Sequence, residues 1–370
     1  MKYYIIVGEA SGDLHGSNLI KALKIEDSQA SIQCWGGDLM QQAGGDLIKH
    51  YKDMAFMGFL EVLRNLPQIF KNIAFCKESI KAFQPDVIVF IDFSGFNLRI
   101  AAWAKMNGYR THYYISPQIW ASREKRIHKI KRDIDAMHVI LPFEKDFYEK
   151  KHGYPVNFVG HPLIDAIAQY SFSEEDNFRK AHQLDPKKPI IALLPGSRKQ
   201  EVQKMLTVML SVQPNFEEYQ FVIAGAPSLT YEFYAPFLNT PNVAFVSNKT
   251  YDLLRIAHAA LVTSGTATLE TALFKVPQVV CYKGNWLSYQ IAKRIITLKY
   301  ISLVNLIMDR EVVKELIQHD MNSKKLHQAL SDILESKNRA IVLADYEALE
   351  KKLGGKGASQ KAARLIAKMN

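Results

Sequence analysis

No apolar run among the 370 residues approaches the ~18–20 uncharged residues that a bilayer-spanning helix needs. The opening stretch, Met1-Lys2-Tyr3-Tyr4-Ile5-Ile6-Val7-Gly8, is too short for a signal-peptide core, so the expectation is a cytoplasmic protein. Cysteine is scarce: Cys34, Cys76 and Cys281 stand far apart without a CxxC spacing, which argues against disulfides or thiolate metal sites. Missing too are the GxGxxG dinucleotide fingerprint, the GxxxxGK[ST] P-loop and any His/Asp/Glu cluster with metal-ligand spacing. Dinucleotide redox chemistry and P-loop nucleotide hydrolysis lose their usual signatures, and no metal or other cofactor is expected. No basic-aromatic RNA-binding pattern occurs either, so nucleic acid is not an expected partner.

What the chain does have is positive charge and two cores' worth of apolar residues. Its net charge of +10 suits phosphorylated ligands or an anionic membrane surface, or else serves solubility alone. At 48% hydrophobic and 23% charged, a chain of this length is expected to fold as two domains. Residues 3–7, 32–35, 87–91, 111–115 and 136–140 read as strands, with amphipathic helices between them. These strands are mostly unbroken apolar runs, as parallel strands covered on both faces should be. A polar stretch over 171–188 follows, and a second series begins: 190–194, 220–224, 243–246, 259–262 and 278–282. The expected fold is α/β, two Rossmann-like domains in tandem over 1–165 and 166–340. A helical tail over 341–370 would pack back on the first domain or on a partner subunit. Beyond about residue 311 no further strand is expected. Ligands in such folds sit at the carboxyl ends of strands, so the cleft between the domains is the expected site.

Five strand-end loops carry chemistry-bearing residues. The first, Gly8-Glu9-Ala10-Ser11-Gly12-Asp13-Leu14-His15-Gly16, is either a tight turn or a ligand loop leading to free helix amides. In the second, Asp92-Phe93-Ser94-Gly95-Phe96-Asn97, a carboxylate ends an apolar strand; desolvation there favours a general base. Alternatively Asp92 bonds loop amides, or Asn97 caps the next helix. In the third, residues 115–126, Trp120 suits a sugar face while Arg123 and Arg126 suit phosphate; a buried Trp beside a solvated basic face fits equally. In the fourth, Pro195-Gly196-Ser197-Arg198 combines a tight turn, a helix start and a guanidinium, an anion site unless it is merely a capped helix. The fifth, Thr263-Ser264-Gly265-Thr266, suits a diphosphate on a helix N-terminus. Glu270 lies one turn deeper, where it can meet a ribose diol.

Taken in order, GEASGD (8–13), IDFSGFN (91–97), YISPQIWA (114–121), LPFE (141–144), FVGHPL (158–163), LLPGSRKQEV (193–202), SGTATLE (264–270) and ISLVNLI (301–307) make the chain resemble the lipid-A-disaccharide synthases of Gram-negative bacteria. The resemblance implies a GT-B fold and an inverting hexosyltransferase. Its expected reaction moves 2,3-diacylglucosamine from UDP to the 6-hydroxyl of 2,3-diacylglucosamine 1-phosphate, giving a β-1,6 disaccharide. It implies catalytic roles for Asp92, Glu9 and Arg198, and UDP binding by Gly196, Ser197, Arg198, Ser264, Gly265, Thr266, Glu270 and Asn305. Acceptor and lipid contacts are expected from Ser11, Asn97, Trp120, Phe56, Met57 and Phe59. Where family members often carry a second acid, this chain has Gly95.

Residues 54–70 are rich in large apolar side chains, with cations at Lys52, Arg64 and Lys71. They are expected to dip into the cytoplasmic face of the inner membrane beside the acceptor site, unless they form core. A homodimer is compatible with the tail. The rival readings are another UDP-N-acetylglucosamine-dependent GT-B enzyme or epimerase, and a non-catalytic binder of nucleotide or anionic lipid.

Overall fold

The computed structural model describes residues 1–54, 66–284 and 298–368. Phe56, Met57 and Phe59 therefore lie outside the described residues. The chain forms two compact units, Met1–Gln169 joined by the chain from Leu353 onward, and Tyr170–Lys352.

The first unit is built on β1 (Lys2–Ile6), β2 (Ser31–Gly36), β3 (Asp46–His50), β4 (Val87–Ile91), β5 (Arg110–Tyr114), β6 (Ala136–Val139) and β7 (Asn157–Phe158). They pair in the order β3-β2-β1-β4-β5-β6-β7, all parallel. All five residues of β4, Val-Ile-Val-Phe-Ile, are buried because both sheet faces are covered. On one face Tyr4, Ile6, Ile88, Phe90 and Tyr113 pack with Cys76 and Ile80 of the helix Leu66–Phe83 and with Ile100 and Ala104 of the helix Ser94–Met106. On the other side the helix Ala358–Ala367 packs against the helix Ala10–Glu26, burying Ala362, Ala363 and Ile366. Asp165 fixes that return, accepting hydrogen bonds from the Gly357 and Ser359 amides at 2.7 and 3.1 Å.

The second unit contains β8 (Ile190–Leu194), β9 (Gln220–Gly225), β10 (Val243–Ser247), β11 (Ala257–Thr263), β12 (Gln278–Tyr282) and β13 (Lys314–Ile317). Their order is β10-β9-β8-β11-β12-β13, again all parallel. β13 corrects the expectation of an all-helical chain beyond residue 311. Its sequence, Lys-Glu-Leu-Ile, is half polar because it borders only one strand. Residues 341–352 belong to the helix Ser336–Lys352 of this unit, not to the returning tail. Tyr346 is buried there, its hydroxyl taking the Gln278 amide at 3.2 Å, and Glu350 pairs with Lys275 at 2.6 Å.

Candidate active site

Each sheet has one place where successive strands leave in opposite directions, and there the flanking helices part to open a crevice at the carboxyl ends. In the first unit that place is between β1 and β4. The chain leaves β1 into Gly8-Glu9 and leaves β4 into Asp92-Phe93, so the switch point itself brings Glu9 and Asp92 together. Gly8 is required for the approach, since a Cβ there would fall 2.3 Å from the Phe93 ring.

Asp92 and Phe93 both have φ of 44°, a left-handed conformation that costs side-chain-bearing residues about 1–3 kcal/mol each. A set of hydrogen bonds holds them there. The Asp92 amide donates to the Ile115 carbonyl at 3.3 Å, and the Asp92 carbonyl accepts from Asn97 Nδ2 at 2.9 Å and from the Tyr113 hydroxyl. Asn97 Nδ2 also reaches the carbonyls of Ile91 and Ile6, at 3.2 and 3.4 Å. Asn97 is wholly buried and orders the loop. The Asp92 side chain stays open to solvent at the crevice although protein crowds around it. That crowding first, and the negative charge of Glu9 second, push its carboxyl up to about 6; a hydrogen bond from the Phe93 amide opposes them. A carboxylate so placed is ionised at neutral pH yet basic enough to take a proton.

The rest of the first loop divides by role. Glu9 and Ser11 are exposed at the start of the helix Ala10–Glu26. Asp13 is buried and structural, accepting from the amides of Gly37, Leu39 and Met40 at 2.8–3.1 Å. Burial pushes His15 down to about 4, so it is neutral near pH 7. Trp120 is half-buried, with Nε1 donating to Glu144 Oε1 at 3.1 Å and its ring edge-on to Phe143. Glu144, which the sequence reading missed as a functional residue, is the hub of this region. It accepts from Ser116 Oγ at 2.6 Å and from the amides of Ile140 and Leu141 at 3.1 and 2.9 Å. Pro142 at a helix start with Glu144 two residues on was the available signal, being half of a capping box. Asp92, Ser94, Gln118, Arg123 and Arg126 line a recess of about 340 Å³.

In the second unit the switch point lies between β8 and β11, and it gathers the other two loops. Gly196 has φ of 95°, and a Cβ there would fall 3.0 Å from Thr263 Cγ2, so the loops touch. Ser197 and Arg198 precede the helix Lys199–Leu210; Arg198 is exposed and, among the described residues, pairs with Glu201 at 3.3 Å. Across the switch point, Gly265 (φ of 140°) and Thr266 open the helix Thr266–Leu273, whose first-turn amides have no partner within the helix. Ser264 Oγ donates to the Ile301 carbonyl at 2.8 Å. Glu270 is half-buried and accepts from the Tyr251 hydroxyl at 3.0 Å. Burial raises its carboxyl and the Tyr251 bond opposes this. Asn305 is wholly buried and fully engaged: Oδ1 accepts from the Val312 and Val313 amides, and Nδ2 donates to the Val313 carbonyl and Glu315 Oε1, all at 2.8–3.0 Å. It positions the loop that holds Ser264. Among the described residues no group of three or more His, Cys, Asp or Glu side chains is arranged to hold a metal ion.

The chain is similar over its whole length to known proteins. A family model described as lipid-A-disaccharide synthetase matches residues 3–369. A lipid-A-disaccharide synthase of Coxiella burnetii is 38% identical, the match covering 98% of this chain and 96% of that protein. One of Geobacter metallireducens is 37% identical, over 99% of this chain and 96% of that protein. Among solved structures, a UDP-GlcNAc 2-epimerase from Neisseria meningitidis superposes with a TM-score of 0.65 at 12% identity, covering 99% of this chain and 98% of that one. The calicheamicin glycosyltransferase superposes at 0.61 and 14%, covering 99% and 96%. At such identities these structures speak for the shared GT-B fold alone. The match to the synthases is of another order, and the chain belongs to the lipid-A-disaccharide synthase family.

Proposed function

We propose that the chain transfers 2,3-diacylglucosamine from UDP to the 6-hydroxyl of 2,3-diacylglucosamine 1-phosphate, with Asp92 as general base. It is a hexosyltransferase of lipid A biosynthesis, acting on a UDP-sugar and lipid-A precursors. The observation that carries the residue assignment is a carboxyl raised to about 6, held on a strained strand end at the switch point of the first unit.

In this reading the Asp92 carboxylate takes the proton from the acceptor 6-hydroxyl as that oxygen bonds to the anomeric carbon from the face opposite UDP. The bond from that carbon to the diphosphate oxygen breaks, its electron pair leaves with UDP, and the configuration inverts. Glu9 keeps Asp92 basic. Arg198, Gly196, Ser197 and the amides from Gly265 and Thr266 receive the growing diphosphate charge, and Glu270 takes the ribose diol. Asn305 and Ser264 shape that pocket through the loop at Ile301. Ser11 and Trp120 border the acceptor.

In this reading the reaction takes place at the cytoplasmic surface of the inner membrane. Support comes from the net charge of +10, the apolar stretch over residues 54–70, and Phe70 and Phe75 on the adjoining helix, 63% and 49% exposed. No helix among the described residues is long and apolar enough to cross a membrane.

The experiment is UDP release from UDP-2,3-diacylglucosamine with and without the phosphorylated acceptor, for wild type and Asp92→Ala. Acceptor-dependent release that the substitution abolishes, with donor binding retained, is the expected result. Turnover of UDP-N-acetylglucosamine instead would move the chain to the epimerase-like enzymes.

A further inference from the structure

Beside Asp92 stand two guanidiniums with no acidic partner. Arg126 is half-buried and gives Nη1 to Ser94 Oγ at 2.8 Å; Arg123, held at φ of 60°, is exposed on the same wall. Neither makes an ion pair among the described residues, and Asp92 lies beyond ion-pair reach of both. The charge on Arg126 is disfavoured first by burial and then by Arg123 and Arg99, with Tyr113 opposing. Like charges gathered in a partly desolvated recess cost stability until an anion enters. The recess of about 340 Å³ lies at the small end of the range for ligand pockets, suited to one phosphorylated sugar ring rather than to a whole nucleotide sugar. Its lining also combines a proton acceptor, Asp92, with anion donors, Arg123, Arg126 and the Ser94 hydroxyl.

We propose that Arg126, assisted by Arg123, binds the anomeric phosphate of the acceptor in this recess, so that the sugar's 6-hydroxyl is turned toward Asp92 and acceptors lacking the phosphate are rejected. This rests on the synthase reading above and adds a specificity determinant to it. The alternative source of the same chemistry is the donor's diphosphate, and the test separates the two.

The test compares wild type, Arg126→Ala, Arg126→Lys and Arg123→Ala at saturating donor, each checked for folding by thermal melting. Each is assayed with 2,3-diacylglucosamine 1-phosphate and with the same acceptor lacking phosphate. A bidentate charge-assisted contact is worth about 100-fold. Wild type should therefore favour the phosphorylated acceptor by about that factor, mainly through KM. In Arg126→Ala the preference should collapse toward one, while Arg126→Lys and Arg123→Ala should each keep about a tenth of it. Equal losses on both acceptors overturn the proposal, as does a raised KM for the donor when donor is varied at saturating acceptor, which would assign the arginines to the diphosphate. If wild type releases no UDP with either acceptor, the synthase reading fails. The recess is then judged by ³¹P line broadening of glucosamine 1-phosphate: broadening lost in Arg126→Ala supports the phosphate site, and no difference between the proteins overturns it.

Discussion

Glu315 Oε1 accepts a hydrogen bond from Asn305 Nδ2 at 2.9 Å, and the same carboxylate accepts from the amides of Ile301 and Ser302 and from Ser302 Oγ. One side chain on β13 thus fixes both the segment that receives Ser264 and the buried Asn305. Glu315→Ala should leave these donors without an acceptor, costing about 1–3 kcal/mol by urea unfolding and weakening UDP binding by calorimetry. Asn305→Ala should behave alike, losing stability and binding together. Arg198→Ala, on an exposed side chain, should lose UDP affinity with its unfolding midpoint unchanged. An Asn305 variant of wild-type stability with lost UDP affinity would restore Asn305 as a direct ligand contact.

The carboxyl of Asp92 sets a pH dependence whose sign is fixed by its neighbour. Catalysis by the ionised form should rise as pH passes upward through about 6. Because the charge of Glu9 raises that value, Glu9→Gln should move the acid limb of kcat/KM to lower pH. Asp92→Asn should lower kcat by about 10²–10⁴-fold and remove the limb altogether. An acid limb that stays in place in Glu9→Gln would separate the two residues.

Much of this arrangement was legible in the chain, and the exceptions share a cause. β4 and β8 are unbroken apolar runs ending in loops with unusual residues, so both strand and loop announce themselves. β3 (Asp-Leu-Ile-Lys-His) and β13 sit at sheet edges, where only one side is paired and charges are tolerated, and the apolar signal thins out. Asp92 could be singled out because its position follows from local sequence. That Asn97 and Asn305 are buried clamps, and that Glu315 serves the loops, depends on how the loops fold back on one another: Asn97 reaches Ile6 on another strand, and Glu315 gathers Ile301, Ser302 and Asn305. Local spacing left a trace only for Glu144, in its half capping box, and even there its bonds to Ser116 and Trp120 come from a distant loop.

His112 and His138 form a buried pair on adjacent strands, Nδ1 to Nε2 at 3.1 Å. Burial pushes His112 down to about 4, with the charge of Arg110 adding to it; burial pushes His138 to about 3, aided by His112 and Arg110. Both are neutral in the folded protein but take up protons below about 6.5 when unfolded. Their contribution to stability is therefore complete above about 6.5 and is lost as pH falls toward 4 and 3. In that window each histidine should cost about 1 kcal/mol per pH unit. A volume-matched His138→Gln should flatten the fall in unfolding free energy between pH 6.5 and 4. An unchanged slope would place the acid sensitivity elsewhere.

Gly95 offers the most direct engineering test of the active-site electrostatics. It lies in the first turn of the helix Ser94–Met106, its φ is not left-handed, and a Cβ built there meets nothing within 4 Å. Nothing steric therefore requires glycine. An aspartate at this position gains backbone rigidity in the helix and a favourable place at its positive end, so Gly95→Asp should raise stability by about 0.5–1 kcal/mol. It would also set a third carboxylate beside Asp92 and Glu9. Repulsion among them should move the acid limb of kcat/KM upward from about 6, the reverse of Glu9→Gln. Opposite displacements in the two variants, read from pH profiles of kcat/KM for the acceptor, would identify Asp92 as the titrating group whose charge neighbours set the working pH. If both variants shift the limb the same way, or neither does, the limb belongs to another group and the general base must be sought elsewhere.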